Sequence, residues 1–105
     1  KMEITFIKKF KNNENLDYDV YRFNSEEFDK YMNTTNDDIN ILEIKDYLDS
    51  LNHDIFLNEK NNYFYFDMYY LNKDNQTDKE IIEFGALEIE SIIDQLIENK
   101  IINEF

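Results

Sequence analysis

Carboxylates dominate the residues of this chain that could do chemistry. Asp and Glu number 24 in 105 residues, against one histidine and no cysteine. General acid–base work needs one carboxyl with a raised pKa beside an ionised neighbour, and abundance alone singles out no such pair. Nucleophilic catalysis needs a base next to a Ser, Thr or Cys. His53 stands in the polar turn "NHD", while Ser25 and Ser91 fall at or near the starts of helices, so no triad is expected.

Metal and phosphate chemistry are tested in the same way. From Asn72, oxygen-bearing side chains recur as in a calcium loop, with Asp74, Gln76 and Asp78 at positions three, five and seven and Glu83 at twelve. An EF-hand loop requires Asp at position one and Gly at six; here Asn72 and Thr77 stand there, and the stretch reads as a turn. Zinc lacks its Cys and His ligands, and the lone Gly85 cannot build a phosphate-cradling loop. The expectation is a non-enzymatic protein with no cofactor and no metal.

The remaining candidates are binding residues. Residues 63–70 read "YFYFDMYY", every one aromatic or Met except Asp67. In a strand, alternate side chains share a face, which puts Phe64, Phe66, Met68 and Tyr70 on one side and Tyr63, Tyr65, Asp67 and Tyr69 on the other. The first set belongs to a core. The second is either another packed layer or the aromatic part of a protein-binding face, since Tyr is favoured at interface centres. Asp67 is the discriminator: buried without a partner it would refute this strand phase, and open beside the tyrosines it would favour an interface. Base stacking on such rings needs surrounding Lys and Arg. Residues 54–71 hold only Lys60 against Asp54, Glu59 and Asp67, so direct nucleic-acid binding is not expected.

Charge supplies the other binding candidates. The formal net charge is −13 and uneven: residues 1–11 carry Lys1, Lys8, Lys9 and Lys11 against Glu3. Such a surface repels nucleic acid and anionic membrane and attracts basic proteins at long range. Asp17 and Asp19 lie two apart on a strand, about 6.6–6.8 Å between Cα atoms. Glu43 and Asp46 lie three apart on a helix, about 5–6 Å between Cβ atoms. With Asp37 and Asp38, these carboxylates could occupy the Lys/Arg sites that a partner uses for phosphates. For any one pair, a solvated face is the plainer explanation; the case rests on their sum.

The elements that must position these residues follow from periodicity. "MEITFIKKF" alternates as a strand with Met2, Ile4 and Phe6 on one side, "KNNEN" turns, and "LDYDVYRF" (16–23) returns as its hairpin partner. Asn24 or Ser25 caps a short helix with Glu26 and Glu27 in its first turn. Asn36 or Asp37 caps a second helix whose stripe is Ile41, Ile44, Tyr47, Leu48 and Leu51. Ile55–Glu59 and Tyr63–Leu71 form a hairpin across "KNN", and Glu80–Phe84 reads as a shorter strand. The last helix is predicted from Ala86 to Asn99, with Gly85 and Glu88 resembling a weak capping box and Ile89, Ile92, Ile93, Leu96 and Ile97 as its stripe. The order ββααβββα predicts one α+β domain over residues 1–105, an antiparallel sheet of about five strands with two to three helices packed on it.

Length, absence of an apolar span and absence of a signal-peptide core point to a cytoplasmic protein. Residues with A/T-rich codons (Asn, Ile, Lys, Tyr, Phe) prevail, Pro and Trp are absent, and Gly occurs once. That composition suggests a low-GC bacterium, or a phage or mobile element within one. The expected function is inhibition of a basic, nucleic-acid-handling bacterial protein, such as a CRISPR effector or another defence nuclease, by blocking its nucleic-acid site. An immunity protein neutralising a co-encoded toxin has the same surface physics. An interaction domain whose charge serves only solubility is the third reading.

Overall fold

The computed structural model describes residues 2–11, 17–35, 39–51 and 54–105. Its elements are β1 (Thr5–Lys11), β2 (Tyr18–Asn24), α1 (Glu26–Thr34), α2 (Ile39–Ser50), β3 (Ile55–Lys60), β4 (Tyr63–Leu71) and α3 (Asp78–Glu98). The α+β expectation holds, with an antiparallel four-stranded sheet in the order β1-β2-β4-β3. The expected "KNNEN" turn falls mainly in residues 12–16, which lie outside the described residues, as do Asn36, Asp37, Asp38 and His53.

Both expected hairpins form. In the β3–β4 connection Asn61 and Asn62 have φ of 52° and 68°. A two-residue loop with both residues left-handed matches the right-handed twist of the strands it joins, and it sets Lys60 opposite Tyr63. In the β1–β2 pair the register shifts between Phe6 and Lys8. The extra residue turns Lys9, like Phe6, toward the helices, and leaves Lys8 and Phe10 on the opposite face.

The fifth strand is not there. Glu80–Phe84 belongs to α3, a helix of 21 residues. Its N-cap is Thr77, whose side chain accepts from the Glu80 amide at 3.2 Å while the Glu80 carboxylate accepts the Thr77 amide at 3.0 Å. This capping box satisfies two orphan donors, and Asp78 and Glu80 favour the positive end of the helix dipole. The expected helix start at Gly85 is therefore overturned as well. Gly85 sits mid-helix in the buried stripe Ile81, Gly85, Ile89, Ile92, Ile93 and Leu96. A Cβ there would lie 2.7 Å from Phe23 Cζ and 2.9 Å from Met68 Cε. A residue that looks like a boundary in sequence is the point of closest approach between helix and sheet.

The helices cover one face of the sheet. Phe23, Phe64, Phe66 and Met68 meet Phe28 of α1, Ile44 and Leu48 of α2, and the stripe of α3 in one buried cluster. Phe28 packs edge-on against both Phe64 and Phe66. The α1 boundary matches expectation, with Ser25 as N-cap accepting from the Phe28 amide at 3.2 Å. Beyond α3, Ile102 folds back into the same cluster. No described helix is long and apolar enough to cross a membrane.

Candidate functional site

The face of the sheet away from the helices carries Tyr63, Tyr65, Asp67 and Tyr69, as alternation predicts. β2 lies beside β4 with Arg22 opposite Asp67 and Val20 opposite Tyr69. Asp67 is 1% exposed, yet it is neither orphaned nor open. Arg22, the chain's single arginine, donates from Nε to Oδ1 and from Nη2 to Oδ2, both at 2.8 Å. Asn58 Nδ2 on β3 adds a third bond at 2.6 Å. The strand phase is right, and Asp67, which was expected as a partner-binding residue, is buried at the centre of a packed layer with three hydrogen bonds.

The guanidinium is held from both sides. Its centre lies 5.2 Å from the Phe10 ring centroid and 4.7 Å from that of Tyr65, within cation–π range. The Asp67 hydrogen bonds raise the Arg22 pKa above its ordinary value, so this charge is fixed at any working pH. Phe56 packs edge-on against Tyr69 at 5.4 Å, and Val20 is buried in this layer, outside the main cluster. Tyr65 and Tyr69 are half-buried constituents of a second, thin packed layer. Tyr63 alone of the three is mostly exposed, at 57%.

This face is not acidic. An open groove of about 380 Å³ crosses it, lined by Ile7, Lys8, Arg22, Lys60, Asn61, Tyr63 and Tyr65. Of the two alternatives for this face, the packed layer describes Tyr65 and Tyr69, and the exposed Tyr63 ring shares its groove with Lys8, Arg22 and Lys60.

The carboxylates gather on the other side. Helices α1, α2 and α3 contain thirteen Asp and Glu against Lys30, Lys45 and Lys79, whereas the four strands contain five Lys and Arg against Asp19, Glu59 and Asp67. Glu43 and Asp46 are exposed on α2, which packs over β3. Asp17 is exposed before β2. Asp19 is half-buried on β2 and lies 3.6 Å from Lys9 Nζ. The two expected pairs belong to separate elements, one at the start of β2 and the other on α2. Asp37 and Asp38 lie outside the described residues.

Other polar side chains have structural occupations. Buried Asp29 accepts from the Phe64 amide at 2.7 Å and Asn24 Nδ2 at 2.6 Å, joining α1 to two strands. Ser25 is spent as a cap, and Ser50, which the sequence reading passed over, donates to the Tyr47 carbonyl at 2.6 Å. Asp78, an exposed residue, accepts from Lys9 Nζ at 3.0 Å and from the Tyr21 hydroxyl at 2.9 Å, tying the edge strand to the start of α3. The Lys9 bond, then the Tyr21 bond, holds the Asp78 carboxyl below the ordinary aspartate range. Among the described residues no group of three or more His, Cys, Asp or Glu side chains could hold a metal ion.

Sequence reasoning missed two features. One is Arg22, whose uniqueness and place in an alternating strand were a usable signal. The other is an apolar patch on α3, where Phe84 and Leu87 are 47% and 65% exposed. It is hidden in sequence because Phe84 ends a short apolar run that reads as a strand, which separates it from Leu87. Comparison with protein-family models, with curated proteins and with solved structures gives no significant match to this chain.

Proposed function

We propose that this protein is a small, non-enzymatic inhibitor that binds a basic, nucleic-acid-handling bacterial protein through its acidic helical layer. The observation that carries this reading is the segregation of charge, with thirteen acids against three lysines in the helices and a slight excess of cations in the strands. Acidity that served only solubility would have no reason to avoid the sheet. A one-sided negative surface orients an approaching basic partner and speeds encounter. Exposed carboxylates at helical spacing, such as Glu43 with Asp46 on α2 and Glu83 with Asp94 and Glu98 on α3, then compete for the Lys and Arg that the partner uses for phosphates. The A/T-rich residue usage supports an origin in a phage or mobile element, for which a defence nuclease is a fitting target.

The test is capture from a low-GC bacterial lysate at low salt, followed by measurement of affinity for the recovered protein with and without its nucleic acid. Competition with nucleic acid, and steep weakening as salt rises, are expected. Recovery of acidic proteins alone, or binding indifferent to both salt and nucleic acid, would sink the reading.

A further inference from the structure

Beside the α3 patch a crevice of about 240 Å³ opens between helix and sheet, lined by Asp54, Ile55, Met68, Tyr69, Tyr70, Phe84 and Glu88. Its floor is apolar, since Ile55 and Met68 are buried. One wall is aromatic: Tyr70 and Phe84 pack edge-on with centroids 6.2 Å apart, and the Tyr70 hydroxyl is anchored by donation to Gln76 Oε1. Two carboxylates, Asp54 and Glu88, contribute to the lining. Helical spacing puts Glu80 and Glu88 one turn to either side of Phe84, and Glu83 one turn before Leu87.

We propose that this crevice is a receptor for one lysine or arginine side chain of the basic partner, with Phe84 and Leu87 as the apolar anchor beside it. The inference rests on the reading of the protein as an acidic binder and names where that binder holds on. An apolar slot with acidic lips is complementary to an aliphatic stem that ends in a cation. The stem lies on Ile55 and Met68 and passes the faces of Tyr70 and Phe84, where ring and cation attract. The head meets Asp54 and Glu88, and a carboxylate, with about four lone-pair sites, can accept such a donor alongside other contacts. Burial of two apolar side chains inside a charged rim is the anatomy of an interface hot spot. A purely acidic occupant is repelled by the lips, and a purely apolar one brings no cation to them.

The experiment uses the isotope-labelled full chain and a short amphipathic peptide of leucine and lysine. A control peptide carries glutamate in place of lysine. Nuclear Overhauser contacts are expected from lysine methylene protons to the Phe84 and Tyr70 rings, with no binding of the control. Phe84→Ala with Leu87→Ala, both at exposed positions, should weaken binding about tenfold, and Asp54→Asn with Glu88→Gln should flatten its salt dependence. Circular dichroism confirms that these variants fold. Binding that shifts α2 and α3 resonances but leaves the crevice untouched overturns the receptor and spares the acidic-binder reading. Leucine methyls in the crevice with lysines elsewhere overturn it too. No binding at low salt overturns both.

Discussion

Arg22 and Asp67 face each other across the β2–β4 register and share two hydrogen bonds of 2.8 Å in a layer closed by Phe10, Tyr65 and Asn58. Removal of one partner strands the other charge away from water, which costs about 3–5 kcal/mol for a buried pair. Because Arg22 keeps some exposure, Asp67→Ala is expected near the lower end, about 3 kcal/mol, in urea unfolding. Arg22→Met with Asp67→Leu should cost clearly less than the sum of the single changes. Additive losses would show that the pair does not act as a unit.

Tyr63 and Tyr65 separate surface from layer. Tyr65→Ala removes one wall of the Arg22 stack and should destabilise by about 1–2 kcal/mol. Tyr63→Ala, at a mostly exposed position, should stay within about 0.5 kcal/mol of the parent. Equal losses in thermal melts would contradict this division.

Gly85→Ala opposes two effects of similar kind but unequal size. Alanine favours a helix interior over glycine by about 1 kcal/mol. Its methyl would meet Phe23 and Met68 at 2.7 and 2.9 Å, and overpacking of this sort costs about 1–3 kcal/mol. Met68 can yield more easily than the Phe23 ring, so a net loss of about 1 kcal/mol is expected from denaturant titration. A stabilised variant would mean that α3 can lift off the sheet freely.

Asp78 makes a pH prediction on two limbs. Its carboxyl is held low by Lys9 and then Tyr21, so its contribution is complete above about pH 4 and is lost as pH falls through the lowered value. Lys9 is raised chiefly by its bond to Asp78, and Tyr21 by burial and then by the same carboxylate. Their contributions are complete below about pH 10 and are lost as pH rises through the raised values. Asp78→Asn should therefore flatten melting temperature against pH at both ends. Flattening of only one limb would show that Lys9 and Tyr21 do not share this partner.

Much of the local structure was legible in the residues. The stripe of α2, the later stripe of α3, the Ser25 cap, both hairpins and the two faces of "YFYFDMYY" follow from periodicity and turn chemistry, which are set by neighbours along the chain. The failures have one cause each. "KEIIEF" reads as a strand because a short apolar run lacks enough length to show its period. The Thr77–Glu80 box, which marks the true start of α3, is divided in that reading, with Thr77 in a turn and Glu80 opening a strand. Gly85 reads as a boundary because glycine weakens a helix locally, and only the packed sheet beneath it supplies the compensating reason for its presence.

The sequence by itself determined the α+β class, the acidity and the aromatic strand, because composition and alternation need no partner to be read. Tertiary structure alone decided what those features face. Pairing of β2 with β4 brought Arg22, 45 positions away, onto Asp67 and turned a candidate contact residue into the centre of a packed layer. The same folding put the acid-rich helices on one side of the sheet and Lys8 and Lys60 in the groove of Tyr63 on the other. Charge is a property of residues, but a charged face is a property of register and packing, which contacts between distant segments fix.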